Sequence, residues 1–126
     1  MGTRSDPTVL VNDIPYSIVP NSIKHKFGLG EQKVDAASAG GGSVEVNVTE
    51  DAETKISMMK FKLFTTTENE EAFKLWKQTP GANTVVYSEA GSKPLTGTFM
   101  TCTNDPEWED AASGQVEIEF SGAPLS

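Results

Sequence analysis

Polar and apolar positions alternate strictly in three places along the chain. Val44, Val46 and Val48 alternate with Glu45, Asn47 and Thr49. Val116, Ile118 and Phe120 alternate with Gln115, Glu117 and Glu119, and in Ile56 to Phe64 the apolar Met59, Phe61 and Leu63 lie opposite Lys60 and Lys62. A period of two sends successive side chains to opposite sides of a strand, so each run predicts a strand with one buried face. The strands at 44–49 and 56–64 follow each other closely enough to read as antiparallel neighbours. Upstream, Thr8 to Val11 reads as a short strand ending in a turn at Asn12-Asp13. Ile14 to Pro20 is apolar but holds Pro15 and Pro20, which cannot donate to a ladder, so it reads as an edge strand or an ordered loop. Ser22 to Phe27 reads as a strand with Ile23 and Phe27 inward.

One stretch has helical spacing. Ala72, Phe73, Leu75 and Trp76 fall on one face, and Thr67-Glu68-Asn69-Glu70 has the form of a capping box. Glu68, Glu70 and Glu71 sit at the positive end of the dipole, and Lys74 and Lys77 toward the negative end. Thr79-Pro80-Gly81 stops it, which predicts a helix over about 67–78 with Phe73, Leu75 and Trp76 as its anchors on a sheet. Strands then resume at 83–88, 95–103 and 115–120, separated by a turn at 90–94 and an acidic loop at 104–114. Strands, one helix, then strands predict a mainly β domain: an antiparallel sandwich or barrel with one packed helix.

The exception is the stretch from Gly28 to Ser43, GLGEQKVDAASAGGGS, which predicts a long hairpin loop over about 28–43. Connections in compact domains have a median of roughly 4–6 residues. This one has too little apolar bulk to bury itself, so it is either disordered or ordered by contact with something else, and contact with another copy of the same chain is the favoured reading.

The chain has 126 residues, 37% hydrophobic and 22% charged, and reads as one domain with residues 1–7 as a flexible arm. No apolar run reaches the roughly 20 residues of a spanning helix, and MGTRSDPTVLV has no signal-peptide core, so no membrane is expected. The net charge of −8 argues against nucleic-acid binding, which needs a basic footprint, but suits a surface that lets nucleic acid pass without sticking. The single cysteine, Cys102, cannot form an intrachain disulfide and reads as a buried thiol. The single histidine, His25, sits between Lys24 and Lys26 on a solvated strand.

No constellation points to catalysis. Asp105, Glu107, Glu109 and Asp110 surround Trp108 but lack EF-hand spacing, so no metal is expected. Gly40-Gly41-Gly42 lacks the Lys-Ser/Thr of a phosphate loop, and Gly28-Leu29-Gly30 lacks the third glycine of a dinucleotide fingerprint. No cofactor is expected, and the absence of a nucleophile–base pair argues against an enzyme.

Several features occur in a fixed order over residues 9–121: Ile14-Pro15-Tyr16, Pro20-Asn21-Ser22-Ile23-Lys24, Ser38-Ala39-Gly40-Gly41-Gly42, Val44-Glu45-Val46, Lys60-Phe61-Lys62-Leu63 and the Asn69 to Trp76 helix. In this order the chain resembles the tail tube proteins of contractile-tailed bacteriophages, within the tube/Hcp-like superfamily. The resemblance implies a virion protein, made in the host cytoplasm, that forms hexameric rings stacked into a tube. Its partners would be further copies of itself and the tail sheath, baseplate and tail-terminator proteins, with DNA passing through the lumen without specific binding. It also implies that the long loop reaches the adjacent ring, through Glu31, Gln32, Lys33, Asp35, Ser38, Gly40, Gly41 and Gly42. Polar strand positions Glu45, Asn47, Glu117 and Glu119 are then the candidates for an acidic lumen wall. Tubes of bacteriocins or of type VI-like injection systems fit the same resemblance. A different class also fits the residues: a monomeric β-sandwich binding module with Trp108 and Tyr87 as its platform.

Overall fold

Alternation in the sequence becomes nine strands and one helix among the residues that the computed structural model describes, which are 8–38, 44–51, 55–88, 93–109 and 113–126, with the backbone alone for 37, 38, 44 and 45. In chain order they are β1 (Thr8–Val11), β2 (Ile14–Ser17), β3 (Lys24–Lys26), β4 (Glu31–Ser38), β5 (Val44–Asp51), β6 (Ser57–Phe64), α1 (Thr67–Gln78), β7 (Asn83–Tyr87), β8 (Leu95–Cys102) and β9 (Gln115–Gly122). Seven strands form one antiparallel sheet in the order β2-β1-β7-β8-β9-β6-β3, and β4 and β5 form a separate two-stranded ribbon. The fold is mainly antiparallel β, as the alternation predicts.

Strand β8 divides the large sheet. Its residues 95–100 pair with β7, whereas Thr101 and Cys102 pair with β9. Between them the register slips: Asn83 faces Met100 and Val85 faces Gly97, so Thr98 and Phe99 stand opposite one residue. Phe99 takes φ +53°, an outlier for a bulky residue, and its ring is 72% exposed. The bulge is held by close packing, since a Cβ added to Gly122 would lie 2.5 Å from the Phe99 carbonyl oxygen. The two halves on either side of β8 share one core. Val9, Val11, Val85 and Met100 come from one half, and Met59, Phe61, Leu63, Val116, Ile118 and Phe120 from the other.

Helix α1 closes this core. Trp76 meets Tyr16 of β2 edge-on at 5.2 Å between ring centroids and Phe120 of β9 at 5.5 Å, so one side chain spans both halves. Ala72, Phe73 and Trp76 are buried, but Leu75, expected on the same face, is 63% exposed. Leu75 lies on the flank of the stripe rather than its centre. The cap also differs by one residue: Thr66, not Thr67, is the N-cap, and its hydroxyl accepts from the Asn69 backbone N–H. The Asn69 side chain then donates to the Phe64 carbonyl, so no reciprocal capping box forms.

Two asparagines bind elements together. Asn83 is fully buried, and its amide donates toward the Trp76, Thr79 and Met100 carbonyls while its oxygen accepts from Asn12 Nδ2 and Thr79 Oγ1. That ties the end of α1, the bulge of β8 and the β1–β2 turn to one side chain. Asn12 and Asp13 both have positive φ, as a two-residue hairpin turn requires. Asn104 donates to the Glu117 carbonyl and accepts from the Glu119 N–H, imitating a strand beside β9 after β8 has ended.

Three expectations are corrected. Residues 31–38 are not loop but strand, paired with β5 along all of β4, from Glu31↔Asp51 to Ser38↔Val44. β5 is not the neighbour of β6, which pairs with β3 and β9 instead. Phe27 does not point inward and is 49% exposed.

Candidate functional site

The ribbon is where the chain departs from ordinary burial. Its register sets Val34 opposite Val48 and Ala36 opposite Val46, all on one face. Val34, Val46 and Val48 are 62%, 62% and 59% exposed, and among the described residues nothing covers them. The valines that read as a buried face in the sequence are therefore exposed. Lys33, Asp35, Asn47 and Thr49 occupy the opposite face, also exposed. An isolated two-stranded ribbon is at best marginally stable in water, because neither face excludes solvent from its hydrogen bonds. Of the residues expected to touch an adjacent copy, Glu31, Gln32, Lys33, Asp35 and Ser38 lie on β4, and Gly40, Gly41 and Gly42 lie outside the described residues.

An open groove of about 580 Å³ runs along the ribbon's foot. Phe27, Leu29 and Ile56 give it apolar walls, and they remain 49%, 71% and 56% exposed. Met58, Lys26 and Lys60 belong to its sheet side. Gly28 fixes this shape: at φ +78° it packs so closely on β6 that a Cβ would lie 2.6 Å from the Ser57 N. The groove has no motif of its own in the sequence. The signal that could have revealed it is Phe27-Gly28-Leu29-Gly30, two large apolar residues spaced by glycines where no strand continues.

The four candidate wall residues are divided between the two sheets. Asn47 is exposed on β5 of the ribbon and Glu45 belongs to the same strand, whereas Glu117 and Glu119 are half-buried on β9 of the large sheet. Nor do the two glutamates make an acidic stripe. Glu117 stands directly opposite Lys62 and Glu119 opposite Lys60, and Lys60 is opposite Lys24 on β3. Counting Lys26, this sheet face sets four lysines beside two glutamates. Alternation in the sequence identifies the polar face of a strand but not its neighbours across the ladder.

Elsewhere the chemistry is quiet. Cys102 is buried, and burial pushes its thiol up to about 11 despite the nearby Lys77, whose ammonium donates to the Cys102 and Asn104 carbonyls. His25 is exposed and lies edge-on to Phe27 at 5.0 Å. Trp108 packs on Phe73 at 5.4 Å, within its own chain. Tyr87 instead lines a second groove, of about 340 Å³, with His25, Phe27 and Leu95. The two residues of the binding-module platform therefore serve different places. Among the described residues no three metal-ligating side chains converge, and no helix is long and apolar enough to cross a membrane.

No protein-family model matches the chain, and no curated protein matches it in sequence. Among solved structures, a chain from the "Virion of native gene transfer agent (GTA) particle" is similar to it in fold. The likeness covers 100% of this chain and 98% of that one, with a TM-score of 0.59 at 10% identity. At that identity the likeness establishes a shared fold.

Proposed function

We propose that the chain is a structural protein of a virion and, more narrowly, the subunit of a phage tail tube built from stacked hexameric rings. The observation that carries this reading is the shared fold with a virion chain, which runs the full length of this protein and nearly all of the other. The order of sequence features that resembles tail tube proteins supports the same reading independently. The ribbon supports it physically, because an uncovered apolar face on a marginal two-stranded element is stabilised when another subunit covers it. Sheath, baseplate and terminator proteins are then the further partners, and DNA passes through the lumen. A wall built from the outer face of β3, β6 and β9 would be mixed in charge rather than uniformly acidic.

Electron microscopy and light scattering of the purified chain at rising concentration test the reading. Rings or tubes of uniform diameter are expected. A 13.5 kDa monomer at every concentration would overturn it. Deleting residues 36–42 should leave a folded subunit that cannot stack.

A further inference from the structure

We infer that Phe99 is an anchor by which one copy grips another, its ring entering the aromatic groove lined by His25, Phe27, Tyr87 and Leu95 on a second copy. The inference rests on the self-assembly proposed above and adds the gripping side chain and its receiving site.

The bulge of β8 sets a bulky side chain where glycine is favoured. A residue with a Cβ is crowded against its own carbonyl in the left-handed region, so bulges that need this conformation usually carry glycine there. Phe99 takes it at φ +53° and leaves 72% of its surface in water. The chain thus holds a strained backbone in place to keep a ring in solvent. Bulges re-aim side chains, and strained residues persist where the surroundings hold them and cluster where the chain does its work. Here Gly122 holds the strand, packed so closely on the Phe99 carbonyl that no larger residue fits.

The receiving groove, of about 340 Å³, is suited to a ring. His25 meets Phe27 edge-on at 5.0 Å and Tyr87 adds a third ring, so a further aromatic finds edge-to-face partners there. Among the described residues no carboxylate side chain lines it, whereas exposed Lys93 does, and an ammonium is attracted to the face of a ring. The groove is fixed by the backbone: Ser126 exchanges two hydrogen bonds of 2.9 Å with Thr96, and the Leu125 N–H donates to the Phe27 carbonyl at 2.8 Å. In a chain that assembles with itself, its own aromatics are the candidate occupants. The other rings are buried in the core, packed on α1 or part of the groove, except Phe64, which is 37% exposed. Phe99 cannot fill the groove of its own copy. Leu95 lines that groove four residues earlier on the same strand, about 13 Å away and farther than a Phe side chain reaches. Ring and groove therefore sit at different places on each copy, and such a contact runs head to tail, either closing into a ring or propagating.

Substitution at Phe99 should move stability and assembly in opposite directions. Asn tolerates the left-handed region, so Phe99→Asn should raise the unfolding midpoint of the isolated subunit by a few degrees. The same variant should need about tenfold more protein to form rings or tubes. Phe99→Tyr, which keeps the ring, should assemble near the original concentration. Cysteines then locate the contact. Phe99→Cys with Lys93→Cys joins two exposed positions and should give a ladder of cross-linked copies when assemblies are oxidised, with buried Cys102 as a silent background. Phe64→Cys with Lys93→Cys should give none. Normal assembly of Phe99→Asn, a lowered midpoint in that variant, or equal ladders from the two cysteine pairs would overturn the inference while leaving self-assembly standing. Failure of the unmodified chain to assemble would overturn the functional reading and this inference with it.

Discussion

The seven-stranded body and the two-stranded ribbon are written in the same alternating code but end in opposite environments. On β6 the code puts Met59, Phe61 and Leu63 at 0% exposure. On β5 it puts Val46 and Val48 at 62% and 59%. The difference lies in what faces each strand. β6 has neighbours on both sides, and its inner face shares a core with residues of both half-sheets. β5 has one neighbour and no layer over its valines among the described residues. Alternation reports that a face is meant to be covered; it does not report that the same chain covers it.

The largest effect should come from breaking the body at the side chain that spans it. Trp76 touches the rings of both Tyr16 and Phe120 and is 3% exposed. Truncating a buried Trp or Phe costs about 3–5 kcal/mol. Trp76→Ala should therefore lower the unfolding midpoint severely in denaturant titration, with Phe73→Ala close behind. Leu75→Ala, one position from Trp76 but exposed, should change stability by less than about 0.5 kcal/mol. Equal losses at positions 75 and 76 would break the assignment of the buried face.

Asn83 comes next. Replacing it with Ala strands Asn12 Nδ2, and leaves the Trp76, Thr79 and Met100 carbonyls without its amide. Leaving buried polar groups unsatisfied costs about 1–3 kcal/mol. Chemical denaturation should show that loss. Thr66→Ala removes the helix cap and should cost about 0.5–2 kcal/mol, whereas Thr67→Ala should cost less. The reverse order would move the cap to the position that the sequence pattern suggests.

How much was legible follows from where the information sits. The strands at 8–11, 57–64 and 115–122, the helix and the inward Met59, Phe61, Leu63, Val116, Ile118 and Phe120 are local patterns, and local patterns can be read. Pairing is not local, so nothing in the pattern of β5 points to β4 rather than β6 as its partner. β4 reads as loop in sequence because Glu31 to Ser38 offers only Val34 and two alanines to an apolar pattern. A strand that gives little to its own core looks like a loop in sequence. The roles of Asn83 and Asn104 are not legible in sequence, because nothing around them distinguishes a buried hub from a turn residue. Leu75 and Thr67 show the usual one-residue blur of helical faces and caps.

The smallest expected effect on stability carries the comparison furthest. Val34, Val46 and Val48 can be replaced together by Thr, which keeps the β-branched shape and strand preference but removes apolar surface. In the body, the same change at three core positions would bury unsatisfied hydroxyls and unfold the protein. On the ribbon the side chains already meet water, so the unfolding midpoint of the isolated subunit should stay within about 0.5 kcal/mol of the original. Assembly should nevertheless be lost or greatly weakened, because the apolar face is what a second copy would cover. Hydrogen exchange separates the two regions in one measurement. In unassembled subunits, amides of β4 and β5 should exchange much faster than those of β6 and β9, since an uncovered ribbon opens without unfolding the core. In assemblies of the original chain the ribbon amides should slow toward the body's rate. A triple variant that assembles normally, or a ribbon that exchanges as fast in the tube as in the subunit, would mean that the valines are exposed in every state and that the ribbon's apolar face has no partner.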